Sequence, residues 1–264
     1  MSDLKINILK YLGFTVAVAF LTFIVFYGKI VTQGVPLKSE QNIVAPISDH
    51  RYISNKKSIT RSRTSSVRIL SIDINEGMVA TSSATYFKYK ELYFVLTTSH
   101  GLVGGCETIQ IEVDGELYDC LEEIAVDPIR DYAILKTEKI DSRKPIKYPV
   151  NVSSTLSEWK KALTILNHVV YTGYPNSIGP LTIQGSIMGF DPSGIMYIQS
   201  YAWSGSSGSG VFDQSGNLIG YILAIDVGQT EYGTAILENV MLVVPIYEVD
   251  WSVITKKELT NVGK

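Results

Sequence analysis

Cysteine is scarce in this chain. Its 264 residues hold two, Cys106 and Cys120, and three histidines. There is no C-x-x-C pair and no Cys/His cluster, so the ligand spacing of a metal site is missing and no metal or cofactor is expected. Charge of one sign is missing too. Lys+Arg 23 against Asp+Glu 26 leave a net −3, which argues against a nucleic-acid-binding body. There is no internal repeat and no low-complexity tract. With 45% hydrophobic and 19% charged residues, the chain is not a disordered one.

Charge is also absent from Tyr11 to Gly28, between Lys10 and Lys29. Such a run, at ~1.5 Å per helical residue, spans roughly the hydrocarbon thickness of a bilayer. Tyr11 and Tyr27 suit its two interfaces. It is long for a secretory signal, and no A-x-A cleavage site follows, so residues 11–28 read as an uncleaved signal anchor behind a short tail, 1–10. Lys and Arg are nearly balanced on its two sides and do not set the orientation. Residues 29–66 are polar, without periodicity, and read as a tether. Arg51, Lys56, Lys57, Arg61, Arg63 and Arg68 lie in or next to it with no acid among them. The ordinary reading is a solvated linker; the sharper one is attraction to anionic lipid.

From Val67 short apolar or alternating runs are punctuated by turns. Val67–Ile72, Leu92–Thr98, Ile109–Val113, Tyr132–Lys136, His168–Gly173, Leu181–Phe190, Ile195–Gln199, Leu218–Ile225 and Val240–Val244 all read as strands. Asp114-Gly115 marks a hairpin. In its simplest register Cys120 faces Ile109, not Cys106, so a disulfide is possible but not implied. Many short strands at this spacing indicate an all-β sandwich or barrel. Residues 245–259 suit a short terminal helix with Ile246, Val249, Val253 and Ile254 facing the body.

Three segments carry chemistry: Thr97-Thr98-Ser99-His100-Gly101, Asp127-Pro128-Ile129-Arg130-Asp131-Tyr132-Ala133-Ile134-Leu135, and Gly205-Ser206-Ser207-Gly208-Ser209-Gly210. Acyl transfer needs a hydroxyl to attack, an imidazole to take and return its proton, and a carboxylate to orient the imidazole. Glycines beside the serine let backbone amides turn towards an oxyanion. Each residue alone is weak. A lone histidine after a strand is usually a loop residue, and a Ser/Gly run is usually a flexible loop. The three in this order are far more specific.

These segments resemble the protease domain of the Deg/HtrA family, chymotrypsin-fold serine proteases. Thr98-Ser99-His100 is similar to the family's strand-end histidine motif, and Asp127–Leu135 to its D-P-x-x-D-x-A-x-L pattern. Leu181-Thr182 with Gly185-Ser186-Ile187, the run Tyr197–Ala202, Gly205–Gly208 and Leu218-Ile219-Gly220 follow its later motifs. The likeness runs from about Ser66 to about Val249.

The resemblance implies a chymotrypsin-like double β-barrel over 67–260, with lobes at about 67–140 and 160–245. It implies a serine endopeptidase acting on protein or peptide. Ser207 would be nucleophile, His100 general base and acid, and Asp131 its orienter. The amides of Gly205, Ser206 and Ser207 would line the oxyanion hole. Ala224 and Ile225 fall where the family walls its primary specificity pocket, which suggests a small or medium aliphatic residue there. Anchored members place the protease on the extracytoplasmic side, and trimers are common. The stretch after Ser207 is too short for the family's peptide-binding PDZ module. Ser209 and Gly210 depart from the family's pattern, and Ser82-Ser83-Ala84-Thr85 replaces its glycine-rich first strand. Ser209 adds a Cβ that would strain the turn if φ must be positive there. That departure keeps alive an alternative, an inactive protease-fold binding or scaffold module at a membrane.

Overall fold

The computed structural model describes residues 55–74, 76–147, 163–230 and 233–255, with side chains outside 224–238. Period-two alternation builds its first strand, β1 (Ser66–Asp73). Val67, Ile69 and Ser71 are buried, while Arg68, Leu70 and Ile72 point outward. Six more strands follow: β2 (Met78–Tyr89), β3 (Leu92–Thr97), β4 (Ile109–Val113), β5 (Glu116–Asp127), β6 (Tyr132–Thr137) and β7 (Ile146–Lys147). Their order is β1-β4-β5-β6-β3-β2-β7, and β1 also pairs β2, closing a barrel. A second closed barrel, β10-β13-β12-β11-β8-β9, is made of β8 (His168–Gly173), β9 (Leu181–Phe190), β10 (Met196–Gln199), β11 (Gly210–Asp213), β12 (Leu218–Thr230) and β13 (Gly233–Pro245). Closure leaves few open edges. The all-β double barrel expected from the sequence is therefore the observed fold.

Two cores result. Val67, Ile69, Tyr86, Val95, Ile109, Ile111 and Leu135 fill the first barrel. The second cluster is shared. Leu96, Tyr132 and Ile134, on β3 and β6, pack with Tyr171, Ile198, Val211 and Tyr221 of the second barrel. Full burial of each such side chain contributes about 1.5–3 kcal/mol. The shared cluster fixes the ends of β3 and β6 against β8 and β11, where the three chemical segments lie.

The Asp114-Gly115 hairpin is as expected. Both residues have positive φ, 54° and 87°, and Val113 pairs Glu116 across a two-residue turn. Cys106 is nonetheless disulfide-bonded to Cys120, with Cα atoms 5.2 Å apart. A 3₁₀ turn at Cys106–Thr108 folds the chain back before β4 begins, bringing Cys106 to the strand that the simple register kept from it.

One stretch read as tether is not a linker. Lys56–Ser65 forms helix α1, which packs on β8 and β11. Its buried stripe is Ser58, Ser62 and Ser65, which hydrophobic periodicity cannot reveal. Ser62 Oγ donates to Thr172 Oγ1 at 2.7 Å, and Arg61 donates to the Gly216 carbonyl at 2.7 Å. Arg63 donates to Thr182, and Arg68 pairs with Glu112 at 2.6 Å. Half of the basic run is thus spent on the protein itself. The uncharged run 11–28 lies outside the described residues; among those described, no helix is long and apolar enough to cross a membrane. At the other end, residues 252–255 are helical, and Ile246, Val249 and Ile254 are buried against the second barrel.

Candidate active site

Asp127 shapes the first half of the site. Its Oδ1 accepts the amides of Ile129 and Arg130, both at 2.9 Å, folding the Asx turn that Pro128 favours. Tyr221, from the second barrel, donates to the Arg130 carbonyl at 2.8 Å and pins that turn. Asp131 follows with φ 54°, a left-handed conformation that aspartate tolerates. Its carboxylate is thereby aimed at the end of β3. Oδ2 meets His100 Nδ1 at 2.5 Å, and Oδ1 accepts the His100 amide at 2.8 Å and Ser99 Oγ at 2.6 Å. Ser99 is a supporting residue visible in the motif but not assigned a role by it.

The electrostatics follow from these bonds. The hydrogen bond that His100 Nδ1 donates to the Asp131 carboxylate raises the His100 pKa above the ordinary imidazole value; partial burial opposes it, and the carboxylate's charge adds to it. Burial pushes the Asp131 carboxyl up. The bonds from His100 and Ser99 outweigh burial and hold it below the usual carboxylate range. The carboxylate fixes Nδ1 as the protonated nitrogen, which leaves Nε2 as an acceptor.

Ser207 sits in a turn from the second barrel. Trp203–Ser206 closes with a bond from the Ser206 amide to the Trp203 carbonyl at 2.9 Å. Gly205 holds the third position with φ 91°, as a type II turn requires. The Ser204 carbonyl accepts the Asn176 amide at 2.6 Å. In a trans peptide C=O and N–H point oppositely, so the Gly205 N–H faces away from Asn176. The amides of Gly205 and Ser207 have no hydrogen-bond partner among the described residues, whereas that of Ser206 is engaged. Of the three amides expected to face an oxyanion, two are available and Ser206 is not.

Ser83 ties this turn to the first barrel. Its amide donates to the Ser207 carbonyl at 2.9 Å, and its hydroxyl donates to the Gly205 carbonyl at 2.7 Å. The same hydroxyl accepts the Tyr174 amide at 2.8 Å, and the Ser83 carbonyl accepts Thr97 Oγ1 at 2.8 Å. One buried residue thus touches the serine turn, the Tyr174–Asn176 loop and the strand that ends in His100. Nothing in a Ser-Ser-Ala-Thr run announces this.

Ser207 Oγ donates to the Leu223 carbonyl at 3.2 Å, and no hydrogen bond joins it to His100. The structure therefore brings His100 and Asp131 into contact and seats Ser207 on the neighbouring barrel. Ser209, suspected of straining the turn, does not. It is absent from the positive-φ residues, and its buried hydroxyl fills the space beside Gly173. Ala224 and Ile225 lie on β12 opposite Leu242 and Met241; their side chains are outside those described. His168 begins β8 exposed to solvent, and His50 lies outside the described residues. Beside Asp131, a cleft of about 250 Å³ runs between Ile129, Leu223, Val244 and Glu248.

Paired closed barrels with these three segments at their junction are the architecture of a trypsin-like peptidase. Residues 81–220, just over half of the chain, match the trypsin-like peptidase domain family. The chain belongs to that family. The uncharacterized protein y4bJ of Sinorhizobium fredii (strain NBRC 101917 / NGR234) is 28% identical over 148 residues, 56% of this chain and 22% of that protein. The chain therefore spans about a fifth of the length of the curated relative it matches. Among solved structures, the active form of the Rv3671c protease from M. tuberculosis superposes with TM-score 0.56 at 17% identity, covering 76% of this chain and 84% of that one. The HtrA-type protease AlgW with a tripeptide gives 0.55 at 18%, covering 72% and 59%. The serine endoprotease from Yersinia pestis gives 0.54 at 19%, covering 78% and 65%. At these identities the likeness is one of fold, and the fold is that of HtrA-type proteases.

Proposed function

We propose that the protein is a membrane-anchored serine endopeptidase that hydrolyses peptide bonds through an acyl-enzyme. The observation that carries this reading is the carboxylate-oriented imidazole of His100 at the same barrel junction as Ser207, whose turn leaves two amides unengaged. Ser207 Oγ bonds to the scissile carbonyl carbon while its proton passes to His100 Nε2. The amides of Gly205 and Ser207 take the negative oxygen. The C–N bond then breaks, and the leaving amine carries off the proton from His100. Water repeats the sequence on the ester and frees Ser207. In substrate-free proteins such hydrogen bonds are often unmade and form only in the complex, which accommodates the Ser207–Leu223 bond.

That same bond favours a second reading, a protease fold kept as a weak or inactive binding module. A fluorophosphonate probe separates the two. Labelling of the parent that is lost in Ser207→Ala and strongly slowed in His100→Ala supports hydrolysis. An unlabelled parent supports the binding module.

The anchor is the uncharged run Tyr11–Gly28, and the protease faces the extracytoplasmic side. The Cys106–Cys120 disulfide supports that side, because disulfides persist in oxidising compartments. A reporter fused to the C-terminus and active only in the cytoplasm would refute it.

A further inference from the structure

Aromatic side chains are almost all at least partly covered among the described residues. Among the described residues only Tyr201 and Trp203 are exposed aromatics, 53% and 45% accessible. They flank buried Ala202 and stack on each other, with ring centroids 6.2 Å apart and planes 12° from parallel. Open apolar rings in water are unfavourable by roughly 25 cal/mol per Å², so a stacked, exposed pair, the only one among the described residues, calls for an occupant.

The backbone beneath the rings is held. The Tyr201 carbonyl accepts Tyr171 Oη. The Trp203 amide donates to Ser206 Oγ at 3.2 Å, and its carbonyl accepts the Ser206 amide at 2.9 Å. Trp203 is thus the first residue of the turn that carries Ser207. Tyr201 and Trp203 precede Ser207 by six and four residues on the same stretch of chain.

We propose that Tyr201 and Trp203 form a substrate-binding shelf that selects peptides with an aromatic side chain near the bond presented to Ser207. The proposal rests on the peptidase reading for its occupant, a peptide in extended form. A fixed, already stacked pair adds a third ring at little entropic cost, and each such contact is worth about 3- to 10-fold in affinity.

The test uses the full chain carrying Ser207→Ala, so that binding is read without turnover. Fluorescein-labelled peptides of Ala, Ser and Gly, each with a single Phe moved along the sequence, are titrated by anisotropy beside a control lacking Phe. Phe is expected to tighten binding at one or two adjacent positions. Trp203→Ala or Tyr201→Ala should then remove about 3- to 10-fold from those peptides, and Trp203→Phe should restore most of it. The control should bind all variants alike. A scan in which no position gains from Phe overturns the proposal. Equal losses for Phe peptides and control overturn it too, as does a parent that self-associates through the pair and dissociates in Trp203→Ala. A parent that resists fluorophosphonate but keeps the Phe preference sinks the peptidase reading and leaves the shelf standing.

Discussion

The hydroxyl of Ser83, on the first barrel, donates to the carbonyl of Gly205, on the second, and simultaneously accepts the amide of Tyr174. Ser83→Ala deletes both bonds and leaves a buried carbonyl and amide unsatisfied, at about 1–3 kcal/mol each. The serine turn would loosen where its amides must be fixed to within fractions of an ångström. We expect kcat for peptide hydrolysis to fall about tenfold or more while KM changes little, since the oxyanion forms after binding. A variant with the parent's kcat would show that Ser83 serves packing alone.

Acid should switch the site off early. His100 must be neutral to accept the Ser207 proton, and its pKa is raised by the hydrogen bond it donates to Asp131. The acid limb of kcat/KM should therefore lie above the ordinary value of about 6.5. Stability runs the other way. With its folded pKa raised, His100 stabilises the fold fully below its unfolded pKa and loses that contribution as pH rises through the raised value. Asp131, held low, contributes above its unfolded pKa and loses it as pH falls through the lowered value. Asp131→Asn should move the acid limb down and cut the rate severely. Rate profiles of parent and variant that titrate at one pH would contradict the pairing.

The double barrel was legible because its strands alternate and its turns are chemically marked. Ile109–Val113, His168–Gly173 and Leu181–Phe190 were legible to the residue, bounded as they are by Asp114-Gly115, Pro175-Asn176 and Asp191-Pro192. The sequence reading missed β2, β7, β11 and α1, and gave β5 only as the far arm of the Asp114-Gly115 hairpin; β7 is two residues long and carries no periodicity to read. Met78–Tyr89 carries Thr81-Ser82-Ser83 and Thr85, Gly210–Asp213 is four residues, and α1 buries serines. Small hydroxyls at the barrel junction hydrogen-bond across chain separations of a hundred residues, as in Ser62 to Thr172, and give no hydrophobic signal. His100 and Asp131 were found because a motif fixes them. Ser83 and Asn176 act through backbone bonds, which a sequence does not spell.

The Cys106–Cys120 disulfide closes a loop with a sequence separation of 14 next to the His100 segment. Loop-closure entropy gives it about 3 kcal/mol. Cys106→Ser with Cys120→Ser should lower the urea midpoint accordingly, and reductant should bring the parent to the same value. Fluorophosphonate labelling in the folded state should be kept, because neither sulfur bonds to the site. A midpoint indifferent to reductant would mean that the cysteines remain thiols in solution.

Gly208 and Gly115 separate backbone strain from lack of room. Their φ values are nearly equal, 85° and 87°, so an added Cβ costs each about 1–2 kcal/mol of left-handed strain. Around Gly115 nothing lies within 4 Å of that Cβ. At Gly208 it would overlap the Ser83 carbonyl oxygen and come within 2.5 Å of Thr97 Oγ1 and 3.1 Å of Thr97 Cα. The first obstacle is backbone that already holds the site together and cannot swing aside. Gly115→Ala should therefore lose only the strain and keep full labelling. Gly208→Ala should push the Ser207 turn off the first barrel, lose clearly more stability in urea, and cut fluorophosphonate labelling by orders of magnitude. Equal urea midpoints for the two variants would mean that the barrels part without cost, and that their contact at Ser83 does not hold Ser207 in place.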